Sequence, residues 1–134
     1  MAAIIYPTAK KFLLDGNIDF LNDNIKMLLV SATYTYSAAH DFHADITGII
    51  ATSANITGKT VTLVGTKQVV DFDDVVFSAV AGGSTITGIV LYRDSGVSGT
   101  SELILYDAVA STPTNGGDIT ITVPVGTDKA FSID

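Results

Sequence analysis

Residues 25–36 constrain the fold more than any other part of the chain. The first half of this stretch, Ile25–Val30, is almost continuously apolar, which is typical of a strand that is buried on both faces. The second half alternates threonine and tyrosine up to Tyr36, and this period of two predicts that the strand continues with one face buried. Such a strand needs hydrogen-bonding neighbours, so we expect the rest of the chain to provide them.

Segments with the composition of strands follow at intervals of about ten residues and are separated by turns rich in glycine, asparagine and serine. In residues 59–64 threonine alternates with valine and leucine, which predicts Thr outward and Val or Leu inward. Gly88 interrupts an apolar run and is expected to mark a bulge or a close backbone approach. The predicted strands cover residues 25–36, 49–51, 59–64, 68–72, 73–80, 85–92, 102–107, 119–124 and 130–133.

One helix is predicted, near the start of the chain. Pro7 or Thr8 opens it, and Gly16 can adopt the left-handed conformation that ends it. The apolar side chains of the segment fall on one face at helical spacing. They are Ala9, Phe12 and Leu13.

These patterns predict an all-β fold, a jelly-roll-like β-sandwich or barrel of about eight antiparallel strands with one short N-terminal helix. The 134 residues suit a single β domain, residues 1–134, in which residues 1–7 form either an N-terminal arm or a first edge strand. Two connections are predicted as turns, residues 93–100 within a hairpin and residues 111–117 before the next strand. Pro124 cannot donate a ladder hydrogen bond, so the strand before it ends there or lies at an edge.

Charge and composition exclude several classes of function. The chain has 14 acidic and 7 basic residues, a net charge of -7, and only Lys10 and Lys11 are adjacent, which argues against nucleic-acid binding. No apolar run approaches the ~20 residues that cross a bilayer, and the first residues lack the basic start of a secretory signal. Without cysteine there is neither a disulfide nor a thiolate metal site. Apolar residues make up 47% and charged residues 16%, a balance that favours contact with other proteins.

The histidines offer the best candidate for a metal site. His40, Asp41, His43 and Asp45 are good ligand types, but no third ligand is marked elsewhere in the sequence. The alternative is a solvated helical turn within residues 37–46, capped by Ser37 and with Phe42 and Ile46 on its inner face. We therefore expect no metal. A third possibility places both histidines at a subunit contact that responds to mildly acidic pH.

No catalytic or cofactor motif is present. Residues 71–74 are acidic but lack the later glycine and glutamate of an EF-hand loop, and Asn55 heads a glycosylation triplet without a secretory signal. Ser98 lacks the spacing of a nucleophile elbow, and Glu102 is the only glutamate, so no glycosidase pair is specified. The glycine pairs open no helix that could cradle a phosphate. We expect a protein that is not an enzyme.

The order of several strand and turn segments along the chain is similar to the order found in a group of known proteins. The segments are residues 15–19, 24–30, 34–36, 40–42, 73–77, 88–92 and 103–107. In this order they resemble small structural proteins of tailed bacteriophages, over nearly the whole chain. The resemblance implies a virion protein of the capsid decoration or cement type, made in the bacterial cytoplasm, that stabilises the head. Its implied partners are the outer surface of the major capsid protein lattice and further copies of itself, as a dimer or trimer.

Two other functions remain open. One is a tail or head–tail joining component of the virion, which the same resemblance allows. The other is a small carbohydrate-binding β module whose Thr- and Tyr-rich strands would stack on sugars. The absence of tryptophan counts against the second, because sugar platforms favour large flat rings.

A structural protein acts through contact residues, and buried anchors inside a polar rim are what a stable interface needs. Residues 4–6 precede the helix and would form the arm, or else the edge strand. Two tyrosines alternate to one face of the first predicted strand, which is either a contact surface or part of the core. The candidates, with the two histidines, are Ile4, Ile5, Tyr6, Tyr34, Tyr36, His40 and His43.

Overall fold

The computed structural model describes residues 3–123 and 131–133. These residues form strands with one short α-helix near the start, so the predicted all-β fold with a single N-terminal helix is confirmed. The described residues contain no helix that could cross a membrane. The described residues also contain two 3₁₀ turns, His43–Asp45 and Ser98–Thr100. The other elements are β1 (Ile4–Ile5), α1 (Pro7–Leu14), β2 (Ile25–Val30), β3 (Ile49–Thr52), β4 (Thr60–Val64), β5 (Lys67–Asp71), β6 (Val75–Phe77), β7 (Thr85–Arg93), β8 (Leu103–Pro113), β9 (Ile119–Ile121) and β10 (Phe131–Ile133).

The strands of the described residues form three antiparallel sheets. The largest has the order β1-β8-β7-β2-β3, and the smaller ones have the orders β10-β5-β4 and β6-β9. β2 pairs along its whole length with β7, from Ile25 opposite Arg93 to Val30 opposite Gly88. The predicted hairpin of β7 and β8 is confirmed, with β8 on the side of β7 away from β2.

The large sheet is buried on both faces, as the apolar run in β2 predicts. Met27 and Leu29 point to one face, where they join a core that includes Val70 and Phe77 from the two smaller sheets. Leu28, on the opposite face, packs in a second cluster beneath the start of α1 and residues 34–46. Since water is excluded from both faces, a continuous apolar sequence is required here.

The ends of α1 follow from its sequence. Pro7 occupies the first turn, where the missing N–H needs no partner, and Gly16 takes a φ of +83° just beyond the last turn. Ala9 is the buried residue of the helix. In the turn that follows, the carboxylate of Asp19 accepts hydrogen bonds from the backbone and side chain of Asn22.

The Thr–Tyr alternation does not continue β2, and this prediction was wrong. The strand ends at Val30, after which the N–H of Ser31 bonds to the carbonyl of Gly48 and the N–H of Tyr34 closes a turn onto Ser31. The predicted helical segment in residues 37–46 is also reduced to the single 3₁₀ turn His43–Asp45.

The N-terminal residues form an edge strand instead of a free arm. Ile4 lies opposite Tyr106 and Ile5 opposite Leu105 in β8, and the N–H of Tyr6 donates to the carbonyl of Ile104 at 3.0 Å. Pairing satisfies backbone groups that an arm would leave to water. Met1 and Ala2 lie outside the described residues.

Two further boundaries, and the exposure of β4, differ from the predictions. β8 extends to Pro113, which pairs with Thr85, so the connection predicted from residue 111 starts later. β6 is confined to Val75–Phe77. Val61 lies opposite the buried Val70, so Val61 and Leu63 share the inner face of their sheet as predicted, whereas Val64 lies on the face of Thr62. All three remain exposed, because β4 is the edge strand. Pro124 and Ala130 lie outside the described residues.

Candidate functional site

Four of the predicted contact residues converge on the face of the large sheet that α1 and residues 31–46 cover. Tyr6 follows β1, whereas Tyr34, Tyr36 and His40 come from the loop after β2. Tyr106 on β8 completes the group. We call these five residues the tyrosine–histidine cluster.

Hydrogen bonds connect the cluster in a chain. The hydroxyl oxygens of Tyr6 and Tyr34 are 2.6 Å apart, and the Tyr34 oxygen is 2.8 Å from Nδ1 of His40. When Nδ1 carries no proton, Tyr34 donates to His40 and Tyr6 donates to Tyr34, so both buried hydroxyls are satisfied. The chain joins the loop to the residue that ends β1.

Ring contacts reinforce the same connection. The ring centroids of Tyr6 and Tyr36 are 5.2 Å apart, and Tyr36 stacks on Tyr106 at 5.8 Å with an interplanar angle of 29°. Tyr34 contacts Tyr106 at 5.7 Å. Contacts of this geometry contribute beyond the area that they bury.

Burial removes two of the candidate contact residues from the surface, and for Tyr34 it agrees with the alternative of a core position. Tyr6 is 0% exposed and Tyr34 is 4% exposed, so neither side chain is available to a partner molecule. Both rings instead fill the space between the sheet and the covering loop. Burial raises the pKa of Tyr6 and of Tyr34, so both remain phenols at neutral pH. Ile4, by contrast, is exposed at the sheet edge.

Sequence reasoning missed Tyr106. Its position follows from Gly88, which lies diagonally across from it between β2 and β8 and leaves room for the ring. The glycine in an apolar strand was therefore the sequence feature that could have indicated a close aromatic neighbour.

His43 lies in a different environment from His40. Its ring packs against that of Tyr92 in an edge-to-face arrangement, with centroids 4.8 Å apart and an interplanar angle of 63°. A pocket of about 200 Å³ opens beside these rings and is also lined by Asp94, Ser98 and Ser101. The sequence placed both histidines in one site, but the structure assigns them to two.

The pocket beside His43 is lined mostly by polar side chains, and their hydrogen bonds and charges define its chemistry. Burial lowers the pKa of His43, which the nearby carboxylate of Asp94 partly opposes, so the imidazole is neutral at neutral pH. Asp94 is held by Lys26, whose Nζ lies 2.9 Å from its carboxylate. The hydroxyl of Ser101 donates a hydrogen bond to the carbonyl of Val97 at 2.8 Å, so the hydroxyl proton already has an acceptor. The arrangement can accept hydrogen bonds from a small polar molecule.

A metal site would need a larger group of ligands. Within residues 3–123 and 131–133, no three His, Asp or Glu side chains lie close enough together to hold an ion. Asp45 uses one carboxylate oxygen to accept the N–H groups of Asp41 and Phe42. The carboxylate of Asp45 therefore fixes the loop beside the histidines.

The most exposed apolar strand is β4. The exposed fractions of Val61, Leu63 and Val64 are 42%, 62% and 43%. The strand pairs with β5 on one side, and no other strand of the described chain pairs with it. An apolar pocket of about 180 Å³ lies beside it and is lined by Val61, Val70 and Phe131 among others. We call residues 60–64 the β4 edge.

Comparisons with protein-family models, with curated proteins and with solved structures found no match for this chain.

Proposed function

We propose that this protein is a non-enzymatic structural protein of a tailed bacteriophage, a decoration or cement protein that binds the outside of the major capsid protein lattice. The observation that carries the proposal is the β4 edge, an exposed, uncharged and partly apolar strand on an acidic chain. A long-lived solitary protein tends to protect such an edge. A protein that coats a shell uses it for contact.

Exposed apolar side chains elsewhere provide further anchors for a shell. Leu14, at the end of α1, is 90% exposed, and Val76 on β6 is 53% exposed. Single exposed apolar residues are common on any protein, but each can be buried as an anchor when a large partner surrounds the molecule. A capsid lattice is a partner of that size.

The charge of the chain favours the outside of the particle. A net charge of -7 repels packaged DNA, and the few basic residues form no cluster that could neutralise phosphates. The outer surface is where an acidic coat protein avoids this repulsion.

The rival functions have less support from the described side chains. A sugar platform needs open aromatic rings, whereas Tyr6, Tyr34 and Tyr92 are buried. A role as a tail or head–tail joining component is a second candidate. In that role the protein would bind the tail or the joint and not the capsid lattice.

Binding to purified particles tests the proposal. Empty capsids, tails and immobilised glycans of the host surface are each incubated with the protein and sedimented or washed. We expect saturable binding to capsids at one fixed ratio of copies per capsomer or local symmetry axis. Saturable binding to tails or glycans without binding to capsids would contradict the proposal.

A stabilising role makes a second prediction. Particles that lack the protein should swell or release DNA at a lower temperature than coated particles, and added protein should restore the difference. Bovine serum albumin at the same concentration controls for non-specific protection. Identical heat resistance with and without the coat would remove the cementing role.

A further inference from the structure

We infer that the β4 edge pairs with the β4 edge of a second copy of this chain, antiparallel about a two-fold axis at Thr62. The pairing joins the sheets β10-β5-β4 of the two copies into one continuous sheet. The biological role of this pairing, which is to link copies in a capsid coat, rests on the proposed function. The pairing itself is tested on the isolated protein, so its failure can be told apart from a failure to bind capsids.

Among the strands of residues 3–123 and 131–133, β4 is an open edge. Its backbone pairs with β5 from Thr60 opposite Asp71 to Val64 opposite Lys67, which uses the hydrogen-bonding groups of one side only. Its five residues include no proline and no charged side chain, the usual protections of a strand edge. The outward N–H and C=O groups are thus a template for another strand.

The sequence of the β4 edge complements itself in an antiparallel pair. An axis at Thr62 sets this residue opposite its own copy, and it sets Val61 opposite Leu63 of the second copy. The same operation sets Thr60 opposite Val64. Each apolar residue on the face of Val61 then meets an apolar residue, as cross-strand pairs prefer.

The pairing would continue an apolar row that already crosses the small sheet. Phe131 lies opposite Val70, and Val70 lies opposite Val61, so the three side chains share one face of the small sheet. They also line the apolar pocket of about 180 Å³. Leu63 of the second copy would extend this row at the mouth of the pocket, and so lose much of its 62% exposure.

The β4 edge itself carries no charged side chain. The chains repel each other through a net charge of -7 each, but none of that charge lies within the β4 edge. Pairing therefore buries no ion, and the remaining repulsion acts over distances that salt screens. A second copy fits this surface better than a basic partner, which would find no carboxylate on the strand.

Cysteine cross-linking tests the register, because the chain has no cysteine of its own. In Thr62→Cys the two thiols lie directly opposite, at a Cα separation of about 4.5–5.5 Å that a disulfide spans. In the matched variant Thr60→Cys they are four residues out of register, about 13 Å apart along the strand. Oxidised glutathione takes up the two electrons and two protons as the disulfide forms.

Non-reducing gels give the result. We expect Thr62→Cys to form a covalent dimer at least about tenfold faster than Thr60→Cys at equal concentration. Equal rates, or a faster reaction of Thr60→Cys, would overturn the proposed axis.

The mass in solution tests the dimer itself. Sedimentation equilibrium from micromolar to millimolar concentration should show a mass that rises from 14.0 kDa to twice that value. A monomer at every concentration would overturn the inference, even if the protein coats capsids through another surface.

Charge variants at the axis provide a test with internal rescue. Thr62→Lys and Thr62→Glu each place like charges opposite one another, so each alone should dissociate at least about tenfold more readily. An equal mixture should recover the dimer as a heterodimer. Thr120→Lys, at an exposed position in the middle of β9, is the matched control and should leave the dissociation constant unchanged. A mixture that stays monomeric contradicts an axis at Thr62.

Discussion

The ring of Tyr106 lies against the backbone of Gly88, so close that a methyl group on Gly88 would sit 2.7 Å from Cε1 and 2.9 Å from the hydroxyl oxygen. Gly88 lies in the central part of β7, where Val30 and Ala108 flank it on the neighbouring strands. The glycine therefore creates the space that the tyrosine–histidine cluster occupies.

Gly88→Ala should lower the free energy of unfolding by about 1–3 kcal/mol, because the added methyl forces Tyr106 or the strand to shift. Urea denaturation measures the change. In a Tyr106→Ala background the same substitution should cost much less, since the atoms that it would meet are gone. An equal cost in both backgrounds would show that Tyr106 is not the reason for the glycine.

Tyr34→Phe tests the hydrogen-bonded chain. The substitution removes the hydroxyl shared by Tyr6 and His40 and leaves the buried Tyr6 hydroxyl without its partner, which should cost about 1–3 kcal/mol of unfolding free energy. Tyr36→Phe is the matched control, because its ring contacts with Tyr6 and Tyr106 need no hydroxyl. Equal losses in the two variants would argue against a special role for the Tyr34 hydroxyl.

Alkaline pH should unfold the protein through its buried tyrosines. Burial raises the pKa of Tyr6 and of Tyr34, and it raises the pKa of Tyr92 to about 12, with the charge of Asp94 adding to the effect. The unfolded chain loses these protons first, near pH 10, so the stability is complete below about pH 10 and falls as pH rises further.

Tyr92→Phe removes one of these groups and should flatten the decline. The free energy of unfolding in urea, measured at about pH 8 and about pH 11, gives the comparison. A decline as steep as in the wild type would mean that Tyr92 ionises in the folded protein as readily as in the unfolded chain.

Acidic pH should weaken the ion pair of Asp94 and Lys26 beside the His43 pocket and so lower the free energy of unfolding. The ion pair with Lys26, together with the N–H of Gly96, lowers the pKa of Asp94. A carboxyl with a lowered folded-state pKa stabilises the fold above its unfolded value of about 4, and this contribution is lost as pH falls through the folded pKa.

Asp94→Asn should therefore cost about 0.5–1 kcal/mol at neutral pH and almost nothing once the wild-type carboxyl is protonated. Combining it with Lys26→Met in a double-mutant cycle isolates the pair. A cost that stays constant down to acidic pH would contradict an ionic contribution.

The sequence predicted those elements whose burial is visible in a single segment. The apolar run of β2 indicates a strand covered on both faces, and Gly16 indicates the end of α1. Residues 34–36 misled because a period of two also arises in a loop whose tyrosines pack onto a sheet. The alternation in β4 indicates that Val61 and Leu63 share a face, but only the rest of the fold reveals that this strand lies at an edge and leaves them exposed.

The tyrosine–histidine cluster could be predicted only in part. Tyr6 and Tyr34 were candidates as contact residues, but nothing local shows that residues 28 positions apart share a hydrogen bond. Their meeting depends on the pairing of β1 with β8, which places Tyr6 beside the loop after β2. Tyr106 was missed because its ring becomes significant only through the glycine across from it.

A reconstruction of empty capsids saturated with the protein, by electron cryomicroscopy, tests the central claim most directly. We predict density for the all-β domain on the outer surface at every equivalent lattice position, with copies joined along residues 60–64. Capsids that show no added density at saturating concentration, or density confined to the tail or its portal, would contradict it.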